Sequence, residues 1–322
     1  MTENKAAFQS ILDTLLDEQK DFPRPYLRHF SDIDPESLKA LREVWPRLTP
    51  TRKHLLLDGL LSLLESDTLV SFEDIGRTLL RDSDPAVRAG AIRLLSECDD
   101  PKLVPAFISI LKEDSASAPR LEAATLLGEF VMLGELEELP RDARHAAVDA
   151  LLAIESSEEQ PALRRRALEA LGYSSRPEVR TLIESAYQRQ DPQWIASALT
   201  AMGRSSDEYW EDQVVSMLLN EDPRIRLAAV EAAGALSLDA AGPILLKVLE
   251  EEDDEQVTSA ASWSLSQIGG EEARLYLQYL LDQAEEQDQI EFLEDALDNL
   301  AFTDDLEGFD LMTYEPEDED ER

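Results

Sequence analysis

The stretch DPRIRLAAVEAAG, residues 222–234, decides the fold of this 322-residue chain. A related segment, DPQWIASALTAMG, begins 31 residues earlier, and another, DEQVTSAASWSLS, begins 32 residues later. Three more segments align in register, and the position of the proline is occupied by Pro85, Pro119, Pro161, Pro192, Pro223 and Glu255. The intervals of 34, 42, 31, 31 and 32 residues suit two helices joined by two turns. The sequence therefore predicts a repeated pair of helices.

Each position of the repeat has a structural reason. Aspartate precedes the proline in three segments and is predicted to be the helix N-cap, because its carboxylate can accept hydrogen bonds from the unpaired amides of the first turn. Proline fits the first helical position, where its missing N–H is not needed. An arginine three residues after the proline recurs at Arg88, Arg164 and Arg226. It is predicted to link successive turns by hydrogen bonds. Glycines near the ends of the first helices are predicted to end or loosen them, at Gly172, Gly203 and Gly234.

A second segment with apolar residues at three- and four-residue spacing follows each first one. Neither helix of a pair can bury its apolar stripe alone, so the pairs must stack. The pattern D-P-x-[VIL]-R-x-x-A-x-x-A-[LA]-G resembles bacterial HEAT repeats, in particular the short form called phycobilin-lyase HEAT-like repeats, over about residues 82–300. The resemblance implies an all-α fold: a right-handed α-solenoid of HEAT-like helical hairpins with an N-terminal helical cap.

We divide the chain into an N-terminal helical cap with a degenerate repeat (residues 1–81), a HEAT-like repeat array (82–302) and an acidic C-terminal tail (303–322). The cap is predicted to hold helices at about residues 5–19, 35–45, 50–65 and 72–81. Within it, residues 20–54 carry eight Lys and Arg against five Asp and Glu, so a docking surface is the alternative role. Residues 131–139 explain the 42-residue interval, as a binding loop or as a longer turn.

The tail mixes acidic residues with apolar ones, at Phe309, Leu311, Met312 and Tyr314. We expect these apolar side chains to pack on the last repeat and the final seven residues to be disordered.

Charge limits the classes of partner. The chain carries 30 Lys and Arg against 69 Asp and Glu, a net charge of −39. Such a surface repels nucleic-acid phosphates and anionic lipids, so neither nucleic acid nor membrane is the expected partner. Residues 227–321 hold 28 acidic residues and only two basic ones, Lys247 and Arg274. The expected partner is therefore a protein with a basic surface, or a basic peptide.

The sequence offers no recognisable catalytic centre. The three histidines are far apart, Cys98 is the single cysteine, and neither a nucleophile elbow nor a glycine-rich phosphate loop is present. We therefore predict no catalytic residues, no metal, no cofactor and a non-enzymatic scaffold or adaptor. The lone cysteine, the absence of a secretion signal and the absence of a long apolar segment indicate a cytoplasmic protein. The resemblance implies an alternative: a bilin lyase or isomerase-like subunit acting on phycobiliproteins.

Four aromatic residues are predicted to contact a partner. At the repeat position of Trp263, the other repeats carry Arg93, Glu169, Thr200 and Glu231. An exposed tryptophan here either anchors a partner or is covered by the terminal helix or tail. Tyr276 and Tyr279 flank the apolar stripe of their helix, and Tyr187 does so in its own helix, which makes these three tyrosines candidates for a groove surface.

Overall fold

The computed structural model describes the backbone of residues 2–310 and the side chains of residues 8–305. This part of the chain is built from helices and contains no strand, which confirms the all-α class. The N-terminal helices are α1 (Thr2–Leu16), α2 (Pro35–Val44), α3 (Pro50–Ser66) and α4 (Glu73–Leu79). Short 3-10 helices lie at Arg24–Phe30, Trp45–Arg47, Pro101–Leu103, Glu208–Trp210 and Asp239–Ala241.

The repeats follow as alternating first and second helices. The first helices are α5 (Pro85–Arg93), α7 (Ser117–Glu135), α9 (Pro161–Leu171), α11 (Pro192–Arg204), α13 (Pro223–Ala235) and α15 (Glu255–Ile268), with α17 (Gln287–Asp310) in the next such place. The second helices are α6 (Val104–Glu113), α8 (Arg141–Glu155), α10 (Pro177–Tyr187), α12 (Glu211–Val215), α14 (Gly242–Glu251) and α16 (Glu271–Gln283).

Packing divides the chain into two compact units, Met1–Ala170 and Leu171–Arg322. In the first unit, α5 packs against α3 and α7, and α6 packs against α7 and α8. Its N-terminal end has an aromatic core in which the ring of Phe30 lies 5.5 Å from Phe8 and 6.3 Å from Phe22. In the second unit α11, α13, α15 and α17 pack in a row, and the second helices α10, α14 and α16 pack beside them. Each unit is thus a stack of helical hairpins, as expected of an α-solenoid.

The predicted aspartate N-caps are confirmed. The carboxylates of Asp84, Asp191 and Asp222 accept hydrogen bonds from the backbone N–H two residues on, at 2.9, 2.9 and 3.0 Å. In each case the next residue is the proline that begins the helix. The same residue pair therefore sets the start of three first helices.

The predicted arginine links are confirmed at Arg88 and Arg226, whereas Arg164 contacts Glu155, nine residues before it. In the first unit, Arg88 donates to both carboxylate oxygens of Asp114 at 2.7 Å and to the carbonyl of Asp82 at 2.8 Å. In the second unit, Arg226 donates to Glu252 at 2.6 Å and to the carbonyl of Asn220 at 2.8 Å. In both cases the acid lies 26 residues after the arginine, in the turn before the next first helix. These arginines therefore tie consecutive repeats together.

The role predicted for two of the glycines is wrong. Gly203 and Gly234 lie inside α11 and α13 and do not end them. A Cβ atom on Gly203 would lie 2.9 Å from the Cα of Ala232, and one on Gly234 would lie 2.7 Å from the Cα of Ser264. Glycine is needed here because the backbones of neighbouring first helices approach too closely for a side chain.

The long interval between two repeats is not filled by a loop. Residues 131–135 continue α7 as helix, and Val131 is fully buried. The extra length is therefore packed, and the turn that follows contains Glu137 with φ +63°. The expectation of a longer turn or binding loop over residues 131–139 is wrong for its first half, because the buried valine holds that half in the helix.

The last helix extends beyond the predicted end of the array. It runs to Asp310, and Asp304 fixes it by accepting from the backbone N–H of Gly270 at 3.0 Å and by pairing with Arg274. The predicted domain boundaries stay a prediction. The expected packing of Phe309, Leu311, Met312 and Tyr314 and the expected disorder of the final seven residues lie outside the residues whose side chains are described.

Candidate protein-binding surface

The second helix α16 has one buried and one exposed face. Ala273 and Leu277, four residues apart, are buried and hold the helix against its neighbours. The opposite face exposes Leu275 and Tyr279, whose side chains are 62% and 57% accessible. This exposed face of α16 is the candidate contact surface.

Tyr276 and Tyr279 lie beside each other on α16, with ring centroids 6.0 Å apart and ring planes inclined by 58°. Burial raises the pKa of Tyr276, and the negative charge of Glu250 on α14 and the neighbouring Tyr279 raise it further. The phenol of Tyr276 therefore keeps its proton at neutral pH. Glu250 lies on α14, the preceding second helix, which packs beside α16.

Acidic side chains surround the pair, and the two nearby cations are already engaged. Glu272 and Asp282 are exposed and lie one helical turn before Tyr276 and one after Tyr279. Lys247 lies 3.9 Å from Glu251, and Arg274 pairs with Asp304. The tyrosine pair is therefore set in a field of carboxylates that these two cations leave largely uncompensated.

Tyr187 lies on another second helix, α10, and is half-buried. Its hydroxyl donates to the carbonyl of Gln213 at 3.3 Å and lies 3.5 Å from the hydroxyl of Ser216. These contacts join α10 to the region of α12, so part of the side chain serves packing. The structure brings together Tyr276 and Tyr279 but not Tyr187, which lies three second helices earlier in the chain.

Trp263 lies on a first helix, α15, and its side chain is 38% exposed. Its ring centroid is 6.4 Å from that of Phe292 on α17, with an angle of 40° between the planes. The terminal helix therefore covers part of the indole, in agreement with the second of the two sequence interpretations. Trp263 belongs to the layer of first helices, whereas the three tyrosines belong to the layer of second helices.

Two exposed residues of the second helices were missed by the sequence reasoning. Leu275 could have been found, because it lies four residues before Tyr279 and so shares its face. Tyr209, 50% exposed at the start of the region of α12, has the guanidinium of Arg180 4.2 Å from its ring centroid. The same arginine pairs with Asp207, and this contact lowers the pKa of that carboxyl. No sequence rule predicts that these three residues meet.

Metal-site and membrane patterns were also sought. Within the described residues, histidine, cysteine, aspartate and glutamate nowhere form a group of three or more that could hold a metal ion. None of the described helices combines the length and the apolar content needed to span a bilayer.

Solved structures that are similar to this chain include a lyase complex, an importin and a hydroxylase. The complex of CpcE and CpcF of phycocyanin lyase from Nostoc sp. shares 20% identity at a TM-score of 0.46, over 71% of this chain and 94% of that one. Importin beta shares 14% identity at a TM-score of 0.43, over 94% of this chain and 45% of that one. Human deoxyhypusine hydroxylase shares 17% identity at a TM-score of 0.34, over 83% and 97% of the two chains. No curated protein sequence matches this chain significantly.

The family comparison supports the same repeat that the sequence pattern indicated. The family model of HEAT repeats matches residues 74–154 and 179–266, which together make up more than half of the chain. The matched residues include most of the first and second helices of both units. This chain therefore belongs to the HEAT-repeat family.

Proposed function

We propose that this chain is a non-enzymatic protein-interaction module that binds a basic segment of a partner protein on the second helices of its C-terminal unit. The observation that carries the proposal is the exposed patch on α16, formed by Leu275, Tyr276 and Tyr279 beside Glu250 of α14. Aromatic side chains contribute strongly to protein interfaces because they bury a large area at a low entropic cost.

The negative charge of residues 227–321 favours a partner of positive charge. Residues 227–321 hold 28 acidic residues and two basic ones, and both of these cations are engaged with described acids of the same unit, so the charge of this segment is strongly negative. Such a field accelerates the approach of a basic partner and weakens as salt screens it. A basic segment would also relieve the repulsion between neighbouring carboxylates, whereas an acidic segment would increase it.

The remaining parts of the proposal rest on the sequence. A non-enzymatic role agrees with the lack of a recognisable nucleophile, phosphate loop or ligand motif, and a cytoplasmic location agrees with the single cysteine, Cys98. Leu275 and the tyrosine pair are proposed to contact a partner, and we assign them no catalytic role. Tyr187 and Trp263 are proposed as additional contacts at the edges of the same unit.

A direct binding experiment tests the proposal. A fluorescein-labelled peptide with four basic residues among glycine and serine is titrated with the full chain, and fluorescence anisotropy is measured at 50 and 300 mM NaCl. We expect binding at low salt that weakens about tenfold or more at high salt, and no binding of the matched glutamate peptide. Equal affinity for the basic and the acidic peptide, or binding that ignores salt, would contradict the proposal.

The lyase alternative has a separate test. The chain offers no residue to which a catalytic role in bilin attachment can be assigned, so we do not prefer this function. Co-expression with a bilin and an acceptor phycobiliprotein, followed by absorbance of the denatured acceptor, measures covalent attachment. An adduct that depends on this chain would replace the scaffold proposal with an enzymatic one.

A further inference from the structure

We infer that the tyrosine pair of α16 is a recognition site for an arginine side chain of the partner, stacked on Tyr279 and paired with the surrounding carboxylates. This inference rests on the proposed function and specifies which basic residue the site prefers. The surroundings of Tyr209 and of Tyr279, both in the second unit, support it.

The first place shows how this chain holds an arginine on a tyrosine. Arg180 of α10 stacks on the ring of Tyr209 at 4.2 Å and pairs with Asp207, while the Tyr209 hydroxyl donates to Glu184 at 3.1 Å. All of these side chains lie on or directly before second helices. The arrangement consists of a half-exposed tyrosine ring, a nearby carboxylate, and a guanidinium that lies over the ring and pairs with the carboxylate.

Arginine stacks on aromatic rings elsewhere in this unit too. Arg189 lies 3.8 Å from the ring centroid of Trp194, and Arg204 lies 5.0 Å from that of Tyr173. A guanidinium suits such places because it is planar, weakly hydrated and able to donate to a carboxylate while it lies on a ring.

The second place has the ring and the carboxylates without the arginine. Tyr279 is 57% exposed, slightly more than Tyr209; the exposed Asp282 lies one helical turn after it, and Glu250 lies on the neighbouring helix α14. In the part of the chain that the structure describes, no cation lies over either ring. Arg274, on the same helix, is turned to Asp304 and Glu271. At Tyr279 the chain therefore presents a ring and carboxylates without an arginine, whereas at Tyr209 its own Arg180 occupies the corresponding place.

A partner arginine would complete it. The guanidinium would lie on the face of Tyr279, and its N–H groups would donate to a carboxylate of Glu250 or Asp282. Lysine would be attracted by the same charge, but its ammonium is more strongly hydrated and cannot stack as a plane. The site should therefore prefer arginine to lysine at equal peptide charge, which a purely electrostatic surface would not do.

The test uses the full chain and three labelled peptides that differ only in their four side chains: arginine, lysine, or citrulline, the neutral analogue of arginine. Affinities are measured by anisotropy at 50 mM NaCl. We expect the arginine peptide to bind about three- to tenfold more tightly than the lysine peptide, given the modest strength of exposed cation–π contacts. Tyr279→Ala should remove that preference, whereas Tyr279→Phe should keep it.

Control variants distinguish a failure of the arginine preference from a failure of the proposed function. Phe302→Ala removes an aromatic side chain that is 64% exposed on a different helix, α17, and should leave both affinities unchanged. Far-UV circular dichroism checks that each variant keeps its helix content. If cationic peptides bind but arginine has no advantage, or Tyr279→Ala leaves the advantage intact, the inference is wrong and the proposed function stands. If neither cationic peptide binds more tightly than the citrulline peptide, the proposed function itself is wrong.

Discussion

The link between consecutive repeats can be tested at Arg88. Its side chain is 14% exposed and that of Asp114 is 7% exposed, and the two are joined by two hydrogen bonds of 2.7 Å. Arg88→Met keeps the aliphatic part of the side chain but leaves Asp114 as a nearly buried carboxylate without its cation. The backbone N–H of Ala116, at 2.9 Å, still donates to that carboxylate.

The size of the effect follows from these contacts. Removing one partner of a buried ion pair costs about 3–5 kcal/mol, and a remaining hydrogen bond to the unpaired group reduces the loss. We therefore expect Arg88→Met to lower the free energy of unfolding by about 2–4 kcal/mol. Urea titration followed by far-UV circular dichroism measures it. The matched control is Arg224→Met, because Arg224 is 57% exposed and pairs with Asp222 at the start of its own helix. Arg224→Met should leave the free energy of unfolding almost unchanged.

The same pair predicts a dependence on pH. The hydrogen bond from Arg88 holds the pKa of Asp114 below its ordinary value of 3.8. A carboxyl whose pKa is lower in the folded state stabilises the fold above its unfolded pKa, and this contribution is lost as pH falls through the folded value. Between about pH 5 and pH 3 the wild-type chain should therefore lose more stability than Arg88→Met. A variant as stable as the wild type at pH 7, or parallel pH profiles, would refute the role given to this arginine.

Two further predictions concern the second unit. Gly203→Ala places a Cβ 2.9 Å from the Cα of Ala232 and should lower the free energy of unfolding by about 1–3 kcal/mol. Gly242→Ala, which meets no atom within 4 Å, should leave it unchanged or raise it by up to about 1 kcal/mol; equal losses in urea titrations would contradict the close-approach role. Asp304→Asn should speed amide hydrogen exchange in the last turns of α17 about two- to tenfold, because the pairing with Arg274 is weakened. Unchanged exchange there would show that this contact does not hold the helix.

Much of the fold could be predicted because it follows from local rules. The pairing of Asp with Pro at helix starts depends on adjacent residues, and the structure agrees at Asp84, Asp191 and Asp222. The recurring arginine marks the repeat in the sequence, but the acid with which Arg88 or Arg226 pairs lies 26 residues further on. Gly203 was misjudged because glycine at the end of a helix and glycine at a close contact between helices look alike in sequence. Only the position of the neighbouring helix, with Ala232 against Gly203, separates the two.

The candidate surface was predictable in part for the same reason. Helical periodicity places Tyr276 and Tyr279 outside the buried stripe, and the structure puts their rings 6.0 Å apart, with Tyr279 on the face opposite the buried one. It does not predict that Phe292 lies beside Trp263, since that depends on how α15 and α17 pack. Nor does it predict that Arg180 lies over the ring of Tyr209, a contact between residues 29 positions apart.

The most direct test of the binding surface is a hydrogen–deuterium exchange footprint of the full chain with a saturating arginine-rich peptide. We expect slower amide exchange in the second helices α14 and α16, residues 242–251 and 271–283, and unchanged exchange in the first helix α13, residues 223–235. Protection of α13 in place of α14 and α16, or no protection at saturation, would contradict the proposed surface.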